Sequence, residues 1–95
     1  MVVGVCTIHL SLPRNHSLKD KRGTLKPVIH QLRQEFNVSV AEVDEQDRLR
    51  TAVIGVACIS PDKDYAHGLL MKVMESVGRW RLDAELVDYE IELID

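Results

Sequence analysis

The ten residues from Thr51 to Ser60 are apolar at both parities: Val53, Ile54, Val56, Ala57 and Ile59 leave no polar side. Successive side chains of a strand point to opposite faces, so a strand of this kind is central and covered on both sides. A sheet is therefore required, and the remaining segments must supply its neighbours and its cover. Val2 to Leu12 alternates, with Cys6, Ile8, Leu10 and Leu12 one way and Thr7, His9 and Ser11 the other. That pattern is a strand with one face in the core. Phe36 to Asp44 reads as a strand with Val38 and Val40 inward, Glu45 to Arg50 as a hairpin connection, and Ala84 to Asp95 as a long last strand.

Two segments carry helical spacing instead. In the first, Leu18, Leu25, Ile29, Leu32 and Phe36 form an apolar stripe after Ser17, a good N-cap, with Asp20 three residues on. Pro27 interrupts it. A proline inside a helix removes a hydrogen bond and clashes with the carbonyl four residues back, at about 3 kcal/mol. The spacing therefore predicts a kink or break: one turn from Ser17, a hinge at Gly23, and a restart capped by Thr24 that puts Pro27 in the first turn. In the second segment Ser60 is the expected cap, Pro61 the first residue, Leu69, Leu70, Val73, Met74 and Val77 the buried stripe, and Gly78 the stop.

The order β-α-β-β-α-β, with right-handed crossovers, predicts an α+β ferredoxin-like plaque: four antiparallel strands with two helices on one face. At 95 residues the chain, 1–95, is expected to be a single domain, since a second core would lack the residues to build it. The second sheet face, carrying Val3, Val5, Val43, Val53, Ala57 and Ile59, is too apolar to stay wet. Gly55 and Ala57 give it a low centre. A homodimer through Val53, Ala57 and Ile59 is the expected cover.

Cys6 and Cys58 are embedded in apolar strands and read as reduced, buried thiols, which points to the cytoplasm. Met1 to Leu12 has no basic leader and alternates, so neither a signal peptide nor a membrane span is expected. The net charge is −3, unevenly placed. Arg14, Lys19, Lys21, Arg22, Lys26 and Arg33 stand against the single acid Asp20, whereas Asp83, Glu85, Asp88, Glu90, Glu92 and Asp95 have no base among them. Either these segments neutralise one another or they make an electrostatic surface.

Ser17-Leu18-Lys19-Asp20-Lys21-Arg22, followed by Phe36-Asn37-Val38-Ser39-Val40-Ala41-Glu42-Val43 and by Asp47, resembles the YlxP-like family of small bacterial proteins, over nearly the whole chain. The resemblance implies a ferredoxin-like domain of unknown function in a bacterial cytoplasm. Family genes often lie beside those of translation and ribosome-maturation factors, so it also implies association with structured RNA or the ribosome. Gly23 and Pro27 depart from the helix formers expected there. Ser17, Asn37, Ser39, Glu42 and Asp47 are the motif residues of structural interest; Asn37 and Glu42 could bond loop backbone and fix strand ends.

The candidate sites follow from spacing. Lys19, Arg22, Lys26, His30 and Arg33 recur at intervals of three and four, which sets them along one helix flank. Lys and Arg there suit RNA phosphate, and Lys21 and Arg14 could join from the entry turn and loop. The competing reading is a solvated face, or a partner for the acidic last strand. A base-stacking sheet platform is excluded, because Phe36, Tyr65, Trp80 and Tyr89 all lie outside the two central strands. His9, His16, His30 and His67 lack metal-ligand spacing, and the cysteines form no pair, so no metal or cofactor is expected. Glu42, Asp44, Glu45 and Asp47 lack the glycine of a calcium loop. No nucleophile constellation is present, and a non-enzymatic module is expected. The alternative function is a dimeric module binding a small regulatory ligand, without nucleic acid.

Overall fold

The computed structural model describes residues 1–80 and 83–95. Its elements are β1 (Val2–Ser11), α1 (Leu18–Glu35), β2 (Ser39–Asp44), β3 (Thr51–Ser60), α2 (Lys63–Arg79) and β4 (Glu85–Ile94). The strands form one antiparallel sheet in the order β2-β3-β1-β4, the ferredoxin-like arrangement expected. The apolar strand β3 is central, paired with β1 from Val2↔Ser60 to Ser11↔Thr51 and with β2 on its other side.

Alternation decides what each strand gives to the core. Cys6, Ile8 and Leu10 of β1 and Ala52, Ile54, Val56 and Cys58 of β3 face the helices. Leu25, Val28 and Leu32 of α1 meet them, as do Ala66, Leu70, Val73 and Val77 of α2. Each fully buried Leu, Ile or Val contributes roughly 1.5–3 kcal/mol. Helix α2 lies close on β1 at Gly4, where an added Cβ would stand 2.9 Å from Leu70 Cδ1 and 3.0 Å from Cys58 Sγ. Both cysteines are free and buried.

Burial pushes the Cys6 thiol up to about 11 from its ordinary 9.0. The folded value exceeds the unfolded one, so folding favours the protonated thiol. That contribution is complete below about pH 9 and fades as pH rises toward 11. Iodoacetamide at pH 8 should therefore label the native protein slowly and the denatured protein fast; rapid native labelling would contradict the buried placement.

Helix α1 is unbroken from Leu18 to Glu35, with Pro27 inside it, so the predicted break and restart at Thr24 are wrong. Ser17 does cap it: its Oγ accepts from the Asp20 N–H at 3.0 Å, and Asp20 Oδ2 accepts from the His16 N–H at 2.9 Å. Thr24 is an interior residue whose hydroxyl lies 3.1 Å from the Asp20 carbonyl oxygen and 3.2 Å from Asn15 Oδ1. The helix tolerates Pro27 because Pro27 and Gly23, one turn apart, are both exposed. The Gly23 carbonyl that loses its donor is thus on the water side.

Other boundaries shift for local reasons. Strand β2 begins at Ser39 and not Phe36, because the Phe36 N–H bonds the Leu32 carbonyl at 3.0 Å as the C-cap of α1. A tight turn, Val38 N–H to the Phe36 carbonyl at 3.0 Å, then enters the strand. The cap of α2 is Asp62, whose side chain accepts from the Asp64 N–H. Ser60 cannot serve, since it is still paired with Val2; its Oγ accepts from the Asp62 N–H at 3.1 Å. Gly78 is inside α2, which ends at Arg79.

The face turned away from the helices carries Val3, Val5, Ala57 and Ile59, with Ile59 72% exposed. Val53 is already 4% exposed in the single chain and so is not free dimer surface, contrary to expectation. Nor is Gly55 a bare centre, because a Cβ there would stand 2.7 Å from Val43 Cγ1. Val43 reaches over Gly55 from the register shift between Glu42 and Asp44.

Candidate functional site

Lys21 sits on the inner stripe of α1 with Leu25, Val28 and Leu32, all buried. On β2, Glu42 shares the parity of the buried Val40 and so faces α1. The two meet. Lys21 Nζ stands 2.7 Å from Glu42 Oε2, with the lysine side chain 3% exposed and the glutamate 24%. The directed hydrogen bond of that ammonium goes to the Glu45 carbonyl at 2.8 Å, and among the described residues Glu42 Oε2 has no hydrogen-bond partner beyond the ion-pair contact. Glu45 has a φ of 55, the left-handed region. Such a conformation costs a side-chain-bearing residue roughly 1–2 kcal/mol. Asp44 Oδ1 holds it by accepting the Glu45 N–H at 2.8 Å.

Lys21 is therefore withdrawn from the expected phosphate contacts, and Glu42 fixes a lysine instead of loop backbone. The clue was present in the sequence. Residues 21, 25, 28 and 32 keep the buried spacing of α1, and residues 40 and 42 keep the inward parity of β2. Of the other motif residues, Ser17 caps α1, while Asn37, Ser39 and Asp47 are exposed and do not join Lys21 and Glu42.

Outside this pair the flank of α1 is open. Lys19, Arg22, Lys26, His30 and Arg33 are all exposed. Among the described residues the ion pairs are Arg14–Asp83, Lys21–Glu42 and Lys63–Asp95, so Lys19, Arg22, Lys26 and Arg33 have no carboxylate in contact. Arg33 is partly committed, since its Nη2 donates to the Val40 carbonyl of edge strand β2 at 2.6 Å. Arg14 lies apart, paired with Asp83 at 3.2 Å.

The sheet order carries the acids away from these cations. Strand β4 is the edge opposite β2, and its register puts Asp88, Glu90 and Glu92 beside His9, Thr7 and Val5 on the helix-free face. The last strand does not neutralise the basic flank. Between α1 and the β2 edge run two open depressions. One, of about 300 Å³, is bordered by Leu18, Arg22 and Leu25; the other, of about 820 Å³, by Pro27, His30 and Arg33. Lys26, Ile29 and Glu42 border both, which makes them one groove. Among the described residues no group of three or more His, Cys, Asp or Glu could hold a metal ion. No described helix is long and apolar enough to cross a membrane.

Residues 3–91 match the family described as protein of unknown function, DUF503. The chain belongs to that family. It is 33% identical over 58 residues to the uncharacterised protein YlxP of Bacillus subtilis strain 168, a match spanning 61% of this chain and 63% of YlxP. The matched part is thus less than two thirds of the relative's length. This places the DUF503 chain among YlxP-like proteins, as its motifs imply. The de novo designed protein Foldit4 superposes on 100% of the chain and 98% of its own, with a TM-score of 0.55 and 12% identity, a likeness of fold alone. LarC2, the C-terminal domain of a cyclometallase, gives a TM-score of 0.46 at 16% identity over 99% of this chain and 56% of that one, too loose to bear on function.

Proposed function

We propose that this protein binds RNA backbone along the α1–β2 edge, with Lys19, Arg22 and Lys26 as phosphate contacts and Arg33 as a partial one. One observation carries the reading: these cations are exposed at helical spacing, have no carboxylate partner among the described residues, and lie across the sheet from the acids of β4. Positive side chains without carboxylate partners are the chemistry that holds phosphate, and RNA is the polyanion to which the family resemblance points. The acidic net charge of −3 confines binding to this edge and disfavours indiscriminate attachment. Recovery of the tagged protein from extract, with and without nuclease, tests it. Wild type should retain nuclease-sensitive RNA, and the Lys19→Glu, Arg22→Glu, Lys26→Glu variant should lose at least about tenfold of it while folding normally. Equal retention by the two would remove the proposal.

A second reading, self-association through the helix-free face, is favoured by Ile59 at 72% exposed, Val43 at 53% and Ile94 at 47%. Ile59→Lys probes it cleanly, whereas Val53→Lys would put a charge into an already buried position. Light scattering should find a dimer at micromolar concentration and a monomer for Ile59→Lys. A wild-type monomer at millimolar concentration would contradict it.

A further inference from the structure

The groove beside the cations has a chemistry that phosphate contacts leave unused. Its floor is apolar, from the half-buried Ile29 and the exposed ring of Pro27, and the His30 imidazole stands at its rim. The opposite wall is Ala41 and Glu42 of edge strand β2, the carboxylate of Glu42 being paired with Lys21. At about 820 Å³ the depression is open to solvent and roomy enough for one face of a planar group to lie against its floor.

A duplex presents a continuous ribbon of phosphates. It could lie on Lys19, Arg22 and Lys26, but its bases are stacked inside and the groove would keep its water. An unpaired nucleotide behaves differently. Its phosphate can sit on Lys26 while its base turns inward, burying a planar apolar face against Pro27 and Ile29 and stacking on His30. We infer that the RNA held at the α1–β2 edge is single-stranded, with one base seated in the groove between His30 and the edge strand. This rests on the RNA reading of that edge and adds the strandedness of the partner. It also gives a use for a side chain of α1 that has no core role, since His30 is exposed.

Fluorescence anisotropy with a labelled single-stranded RNA oligonucleotide of mixed sequence, and with the same strand annealed to its complement, separates the two levels. The single strand should bind at least about tenfold tighter than the duplex, the scale of one base–ring stack. His30→Ala should remove most of that advantage and leave duplex affinity unchanged, with a thermal unfolding curve like wild type. Equal affinity for both forms, or a single-strand preference untouched by His30→Ala, would overturn the groove assignment while the phosphate reading stands. Failure to bind either form at 50 mM salt would overturn both.

Discussion

Glu42→Ala is expected to destabilise the protein by about 3–5 kcal/mol, because it strands the buried ammonium of Lys21 in the core. At roughly 4–8 °C per kcal/mol for a domain of this size, the thermal midpoint should fall by about 12 °C or more. The remaining bond from Lys21 to the Glu45 carbonyl cannot replace a carboxylate, since a carbonyl carries no net charge. Lys21→Met is expected to cost less, about 1–3 kcal/mol, because Glu42 is 24% exposed and can be partly hydrated. The double variant Lys21→Met, Glu42→Leu should recover most of the loss, as buried ion pairs exchanged for apolar residues of similar volume often do. Circular dichroism melts of the three variants check these costs. A Glu42→Ala cost below about 1 kcal/mol would show that the pair does not hold α1 to the β2 hairpin.

Pro27→Ala should move stability the other way. Alanine is favoured over proline in a helix interior by about 3 kcal/mol, and loss of the proline's restraint on the unfolded chain returns about 0.4–1 kcal/mol. A net gain of about 2 kcal/mol is expected, or roughly 10 °C in the melting midpoint. Gly23→Ala should add about 0.5–1 kcal/mol, since nothing lies within 4 Å of a Cβ there. Had the helix restarted at Thr24, Pro27→Ala would change little; an unchanged midpoint would therefore restore the hinge. Pro27 borders the groove and Gly23 lies one turn before it, so two weak helix formers flank the candidate site.

The fold was legible because period and parity are loud in this chain. Thr51 to Ser60 could only be a central strand, and its bounds coincide with β3. Pro27 marks a helix break on local pattern alone, since an interior proline costs about 3 kcal/mol, and only the packing of α1 decides that its face is wet. Strand β2 was started too early because Phe36, apolar and helix-spaced, looked like a strand residue as well as the last member of the stripe.

The site was half legible. The spacing of Lys19, Arg22 and Lys26 names an exposed flank, but Lys21 matches them in charge and not in helical phase. Its phase is that of Leu25 and Leu32, and charge alone disguised a core position. The groove was not legible at all. It depends on how far α1 stands from the β2 edge, which is fixed by packing distances that no local pattern encodes.

The salt dependence of RNA affinity tests the proposal of a phosphate-binding α1–β2 edge most directly. With three contacts to a single strand, the logarithm of the association constant should fall against the logarithm of salt concentration with a slope near about −2, at roughly 0.7 for each contact. Lys26→Gln should flatten that slope by about 0.7 and leave the melting curve unchanged. A slope near zero, or one that Lys26→Gln does not alter, would contradict it.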